Sequence, residues 1–415
     1  MDVRELLYRR FIAPMESKKN LINRIGMEFA YPLVCLGNKS NKMIVKYLFE
    51  QLIKRGFMPL YCDKKELIGV EKKFTARIFL DASYNCLSIA LAPIVAIHEA
   101  DRTLQEVFKL FRTIVEEQAL LIDQSIHPLH YSLPANFIAD DEWMAKRKFI
   151  EKYSPQDFSG RADFFAFITA IKTHLNFMPQ EIPYAFTVLS KLDFAELFLF
   201  ANSPIRTKQG WFRSAKYYYY TRSGLALAGL SGSMDQSFRS IQDVLLDYAQ
   251  RGLFLRRREN CQFFIPVRLG EYFKRSEYGA IEEDLDCFFS YKNTELEQIG
   301  TVKRQVSCVQ PFSQTFVPVA FVRGIVAKLG QADELVKRFL RDNQITSSNN
   351  QLCEMAARGV LIGSRNSLYE FLGGLWQLAI DSARMRGVGD EAYLTCFDEK
   401  FSALMNWYEN KIMDK

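Results

Sequence analysis

Apolar and polar positions follow two periods along the chain. Gly26-Met27-Glu28-Phe29-Ala30-Tyr31-Pro32-Leu33-Val34 reads as a strand. Phe74–Asp81 alternates apolar and mixed residues, turns at Asp81–Asn85 and continues as apolar Leu87–Leu91, so a hairpin is predicted. Helical spacing then takes over. Thr103-x-x-Glu106 has the form of a capping box, and Leu104, Val107, Phe108, Phe111, Ile114 and Val115 recur on one face. Pro128 and Pro134 mark a loop, and helices are predicted at Asp141–Lys152 and Asp163–Ile171. A strongly apolar helix is predicted from Pro183 to Ala201, stopped by Asn202-Ser203-Pro204. Ser203–Ser223 reads as a loop with five bases and no acid. Val244–Gln250 is helical, Leu253–Leu255, Phe263–Val267 and Thr301–Cys308 are strand-like, and Gln344–Gln351 is a polar loop. Helices follow at Val317–Leu340, at Leu368–Arg386 behind a Ser367-x-x-Glu370 box, and at Glu391–Lys411. With no repeat and no linker rich in Pro or Gly, residues 1–415 read as one α+β domain, of which 312–415 is the mainly helical part.

Composition narrows the class. Of the 415 residues, 48% are hydrophobic and 25% charged, which excludes a disordered or collagen-like chain. Lys and Arg exceed Asp and Glu by 54 − 48 = 6, too small an excess to argue for nucleic acid. The charged start Met1–Glu5 and the lack of a long uncharged apolar run predict no secretory leader and no membrane span. The eight cysteines form no CxxC pair, so they read as reduced thiols of a cytoplasmic protein rather than zinc ligands.

Several segments, in order, resemble one family. Ile25-Gly26-Met27-Glu28-Phe29 is similar to the first strand of the glutamate–cysteine ligases and related carboxylate–amine ligases. Ala201-Asn202-Ser203-Pro204-Ile205, with Gly210 and the bases that follow, resembles that family's Ala-Asn-Ser-Pro loop. Thr173-His174-Leu175-Asn176, Gly300-Thr301 through Pro311, and the helices from Ala357 to Leu394 extend the match over roughly residues 20–400. The resemblance implies a curved, mainly antiparallel sheet of the glutamine synthetase type with surrounding helices and an active site on its concave face. It also implies an ATP- and Mg²⁺-dependent reaction in which a carboxylate is phosphorylated and an amine attacks the acyl phosphate.

Such a reaction needs hard oxygen ligands for Mg²⁺, which the family places on neighbouring strands. Here Glu28 is present, but its same-face neighbour is Ala30. The second strand offers Ser88 and no acid. On the late strand, the family's Glu and Arg fall on Lys303 and Gln305. An ammonium does not ligate Mg²⁺ and repels it. The expected metal cluster is therefore largely lost, with Glu28 the one remaining candidate ligand and Asp81 or Glu99 possible recruits.

The candidate catalytic residues are Glu28, Lys303 and His174. Asn202, Arg206, Lys208, Arg213, Lys216, Arg222 and Gln305 are candidates for binding a substrate or nucleotide. Lys303 reads either as a fixed charge for an anionic substrate or as an ion-pair partner of Glu28. Arg256–Arg258 reads as a solvated turn or a carboxylate clamp, and Arg358 and Arg384 as helix-surface charges. Three functions remain: an amide-bond enzyme with altered chemistry, acting on an amino acid or peptide; an inactive relative that binds such a ligand or a protein partner; and an ordinary glutamate–cysteine ligase.

Overall fold

The computed structural model describes residues 2–17, 23–37 and 39–413. Met1, where the charged start begins, and residues 20–22, where the resemblance begins, lie outside the described residues. The centre is a nine-stranded sheet. Its strands are β1 (Ile25–Cys35), β2 (Met58–Tyr61), β3 (Leu67–Lys72), β4 (Ala76–Phe79), β5 (Cys86–Ile94), β6 (Ala119–Leu121), β7 (Ile171–Leu175), β8 (Thr294–Glu297) and β9 (Thr301–Arg304). They lie in the order β8-β9-β7-β1-β5-β4-β3-β2, with β6 also paired to β1, and every pairing is antiparallel. The fold is α+β, as the sequence predicts.

Period-two geometry gives β1 two unlike faces. Met27, Phe29 and Tyr31 are buried on one, where Phe29 meets Phe316 with ring centroids 5.1 Å apart and Tyr31 meets Phe108 at 5.5 Å. Glu28 and Ala30 face the other side, opposite Lys172 of β7 and Ser88 of β5 respectively. Pro32 lacks an N–H, yet it sits in a central strand. It is tolerated because it falls between the stretch of β1 paired to β7 and the stretch paired to β6. Gly300 closes the turn from β8 to β9 at φ +71°, and a Cβ there would lie 2.7 Å from the Pro14 carbonyl carbon.

The apolar helix runs Ile182–Phe200 and is buried almost all round. Its Asp193 and Glu196 are held by Arg304, itself 1% exposed. Helix Asp141–Tyr153 and the β4–β5 hairpin stand where predicted.

Other elements correct the sequence reading. The helix expected over Asp163–Ile171 is a 3₁₀ turn at Phe164–Ala166 followed by β7. Ile171, Thr173 and Leu175 alternate inward, and Asp163 is drawn off to a two-point bond with Arg161 rather than capping a helix. Thr103 caps nothing. Its helix begins at Ile97, whose N–H is held by Asp390 Oδ1 at 2.9 Å, a cap supplied from far along the chain. The cap before Arg365–Arg386 is Ser364, three residues earlier than the predicted box. The basic stretch 203–223 is not a loop but a hairpin, Ile205–Thr207 with Gly210–Phe212, and a helix, Ala215–Arg222, capped by Ser214. Val317–Leu340 is two helices, Val317–Val326 and Leu329–Asp342. The expected strand Thr301–Cys308 ends at Arg304, the expected loop Gln344–Gln351 gives way to a helix at Asn349, and Glu391–Lys411 becomes a 3₁₀ turn at Asp390–Tyr393 and a helix from Phe397.

All eight cysteines are free. Among the described residues no single helix is long and apolar enough to cross a membrane.

Candidate functional site

The Glu28 side of the sheet borders a cavity of about 290 Å³. Ala30 and Ser88 form part of its floor, and Lys172, Lys303 and Gln305 approach from β7 and the end of β9. Helix Ala215–Arg222 supplies Lys216 and Tyr220, four residues apart and so on one helix face. Asp81, Glu142, Trp143, Lys146, Phe289 and Tyr291 complete a wall that is part charged and part aromatic. The structure therefore brings Ala30, Ser88, Lys216, Lys303 and Gln305 together from four separate segments. The three positions without the expected carboxylates lie in one place.

The charges in this cavity are mostly paired internally. Lys172 Nζ lies 2.7 Å from Glu28 Oε1 and 3.2 Å from Asp81 Oδ2. Burial opposes the charge on Lys172, but Asp81 and Glu28 outweigh it and hold its pKa well above the lysine value. Lys303 Nζ lies 3.1 Å from Glu295 Oε2 and 2.5 Å from Glu297 Oε1. Burial again opposes the charge, and the two glutamates raise the pKa. Glu28 thus pairs with Lys172, and the pairing of Lys303 with Glu28 foreseen from the sequence gives way to Glu295 and Glu297 on β8. The reason is register: Lys303 stands directly opposite Glu295. Lys146 pairs with Glu142 and lies over the Phe289 ring at 3.7 Å.

Lys216 differs from these three. Its stem is partly exposed, but its Nζ is buried from solvent and has no hydrogen-bond partner among the described residues. Burial lowers its pKa to about 8, and the charges of Lys172 and Lys303 push the same way.

The other candidates scatter. His174 shares the Glu28 face, opposite Gly26 and Lys303, and its Nδ1 lies 3.2 Å from Thr301 Oγ1. Asn202 donates to the carbonyls of Asp123 and Val309, both at 2.8 Å, and so ties segments together. Arg206 and Lys208 are exposed on the small hairpin. Arg213 is buried and donates to the Phe198 carbonyl at 3.0 Å; burial lowers its pKa to about 10. Arg222 pairs with Glu354 at 2.7 Å and faces a second cavity. The bases of 206–222 do not converge, because the helix sends Lys216 and Arg222 to different sides. Arg257 pairs with Asp63, Asp140 and Glu142, and Arg258 with buried Asp284, so 256–258 is neither a solvated turn nor part of this cavity. Arg358 is not a plain surface charge. It bonds Glu354 and the Gln209 carbonyl and lies over Phe212. Arg384 is exposed beside Asp381.

Sequence reasoning missed Lys172, Lys146 and Glu142. Lys172 was within reach, since it stands two residues before His174 on one strand. Lys146 and Glu142 carried no signal, because a charged pair on an amphipathic helix is commonplace. Among the described residues, no group of three or more His, Cys, Asp or Glu side chains is arranged to hold a metal ion.

No protein-family model matches the chain, and no curated protein does. Among solved structures it is similar to glutamate–cysteine ligase of Francisella tularensis in complex with AMP. The identity there is 14%, with 92% of this chain and 82% of that chain covered and a TM-score of 0.46. It is also similar to a bifunctional glutathione synthetase of Pasteurella multocida, at 11% identity, 94% of this chain, 55% of that one and a TM-score of 0.46. The ligase PafA, in complex with the prokaryotic ubiquitin-like protein Pup, matches at 10% identity, 96% and 69% coverage and a TM-score of 0.40.

Proposed function

We propose that this chain is a divergent relative of the carboxylate–amine ligases. It forms or handles an amide bond between an amino-acid or peptide carboxylate and an amine, in the cavity beside Glu28, without a Mg·ATP cluster. One observation carries the reading. Ala30, Ser88 and Lys303, where the resemblance calls for carboxylates, line one cavity with Lys172 and Lys216. This donor set does not fit Mg²⁺. It offers an aliphatic side chain, a hydroxyl and ammoniums, and the carboxylates nearby already face cations, Glu28 and Asp81 facing Lys172 and Glu142 facing Lys146.

The same set suits a small zwitterion. Lys303 and Lys172 hold its carboxylate, while Glu28 and Asp81 hold its ammonium or the attacking amine. Acyl activation then comes from the donor rather than from ATP in this site. His174 stands at the edge of the same face for proton transfer. The free cysteines are in keeping with a cytoplasmic protein, and residues 1–415 act as one domain with 312–415 as its helical part. A second reading, binding without turnover, is favoured by the way four carboxylates already engage Lys172 and Lys303.

Calorimetry with a panel of amino acids and dipeptides in Mg²⁺-free buffer tests the proposal. Binding is expected without metal and is lost in Lys303→Met. Binding that appears only with Mg²⁺ and ATP sinks it. Product formation from an activated acyl donor separates the enzyme from the binder.

A further inference from the structure

Charge pairing in the cavity leaves one amine over. Lys146, Lys172 and Lys303 each face at least one carboxylate, whereas Lys216 Nζ has no acceptor among the described residues. The charged and titratable groups that act on it are Cys308, Lys172, Lys303 and Glu196, and Asp81, Glu142 and Lys146 share its cavity. With a pKa of about 8, about one Lys216 in ten is neutral at pH 7, against about one in 2,500 for an ordinary lysine. A neutral amine with an uncommitted lone pair is a nucleophile.

A low pKa alone does not single out this residue. Lys292 and Lys400 are also pushed by burial to about 8. Lys292 donates to the Ser233 carbonyl at 3.3 Å, and Lys400 to Gln310 Oε1 at 2.5 Å. Lys216 alone among the three combines an unpartnered Nζ with a stem on the wall beside Lys172 and Lys303, and a change of rotamer along that flexible, partly exposed stem turns the Nζ into the cavity. Those two ammoniums have three N–H donors each and two carboxylate partners each, which leaves one N–H apiece for an anion. Trp143, Phe165, Phe289 and Tyr291 give the cavity an apolar side that disfavours free water.

We propose that Lys216 is a carbonyl-reactive amine that forms a reversible imine with a small 2-oxo acid, whose carboxylate is held by Lys172 and Lys303. The Nζ lone pair attacks the carbonyl carbon, a C–N bond forms, and the carbonyl oxygen takes up a proton. That hydroxyl leaves as water with a proton from nitrogen, which completes the C=N bond; hydrolysis reverses the step. No oxidant or cofactor is consumed. The inference needs only the cavity and the amine, so it stands or falls apart from the amide-bond reading.

Reductive trapping tests it. The full chain is incubated with pyruvate and sodium borohydride from about pH 6 to 9, and its peptides are mapped by mass. One carboxyethyl group is expected on Lys216, rising through about pH 8, reduced in Lys303→Met and absent in Lys216→Arg and Lys216→Met. Lys292 and Lys400 in the same wild-type digest are internal controls, so the result does not depend on a variant folding. Label on Lys292 or Lys400 equal to that on Lys216, or label on exposed lysines with Lys216 unmodified, overturns the proposal.

Discussion

Lys303 and Arg304 are neighbours on β9 and face opposite sides of the sheet. Behind it, Arg304 meets a finished environment. Its Nε donates to Glu196 Oε1 at 2.7 Å, and its Nη1 to Asp193 Oδ1 at 2.6 Å and to Thr294 Oγ1 at 2.7 Å. Asn293 donates to the remaining Asp193 oxygen at 2.7 Å, and Ser307 approaches Glu196 Oε2 at 3.4 Å. In front, the cavity gathers four lysines and leaves the Nζ of Lys216 without an acceptor. A buried ion held at several points by charged and polar partners serves folding. A buried amine without a partner costs stability, which marks it as a candidate for function.

The largest effect is expected when the well-held cation behind the sheet is removed. Arg304→Met leaves Asp193 and Glu196 facing each other in the core, and a loss of about 3–5 kcal/mol is expected in a urea titration. Arg304→Lys should recover only part of it, since a lysine lacks the planar fork that reaches both acids. A loss under about 1 kcal/mol would mean the two sides do not differ.

The opposite sign is expected in the cavity. Between about pH 8 and 10.5 the folded protein holds fewer protons at Lys216 than the unfolded chain does, so stability rises with pH across that window. Lys216→Met should therefore stabilise the protein by on the order of 2–3 kcal/mol at pH 7, with the gain fading as the pH approaches 10.5. Thermal unfolding at several pH values reads this directly.

How far this contrast was visible in the sequence depends on its reach along the chain. Strand β1 and helix Ile182–Phe200 were legible because their patterns are local: inward alternation in one, a long apolar run ended by Asn202-Ser203-Pro204 in the other. The absence of an acid at Ala30, Ser88 and Lys303 could be seen, and the structure gathers those positions. Which acid pairs with which lysine could not, because register decides it: Glu295 opposite Lys303, Lys172 opposite Glu28. The helix cap at Ile97 failed for the same reason, since its acceptor, Asp390, is remote in sequence. The run of bases at 206–222 misled because a charge count carries no direction, and a helix splits it.

A smaller effect sharpens the cavity side. Lys172→Met should cost about 1–2 kcal/mol near neutral pH by leaving Glu28 and Asp81 without their cation. The nearby charge of Lys172 holds the Asp81 carboxyl below 3.8, so the wild type loses that stability as the pH falls through this range. The variant should lose less there, which acid unfolding curves will register. The smallest effect is expected on the exposed hairpin. Arg206→Ala should change stability by less than about 0.5 kcal/mol and leave ligand binding in the cavity unchanged.

On the proposed reading, fixed ammoniums stand beside Glu28 where a metal–nucleotide cluster would otherwise bind. Calorimetry of the purified protein with Mg²⁺ and a non-hydrolysable ATP analogue tests it most directly. No binding is expected at millimolar nucleotide. Micromolar binding that disappears in Glu28→Gln would contradict it and return the chain to an ordinary ATP-dependent ligase.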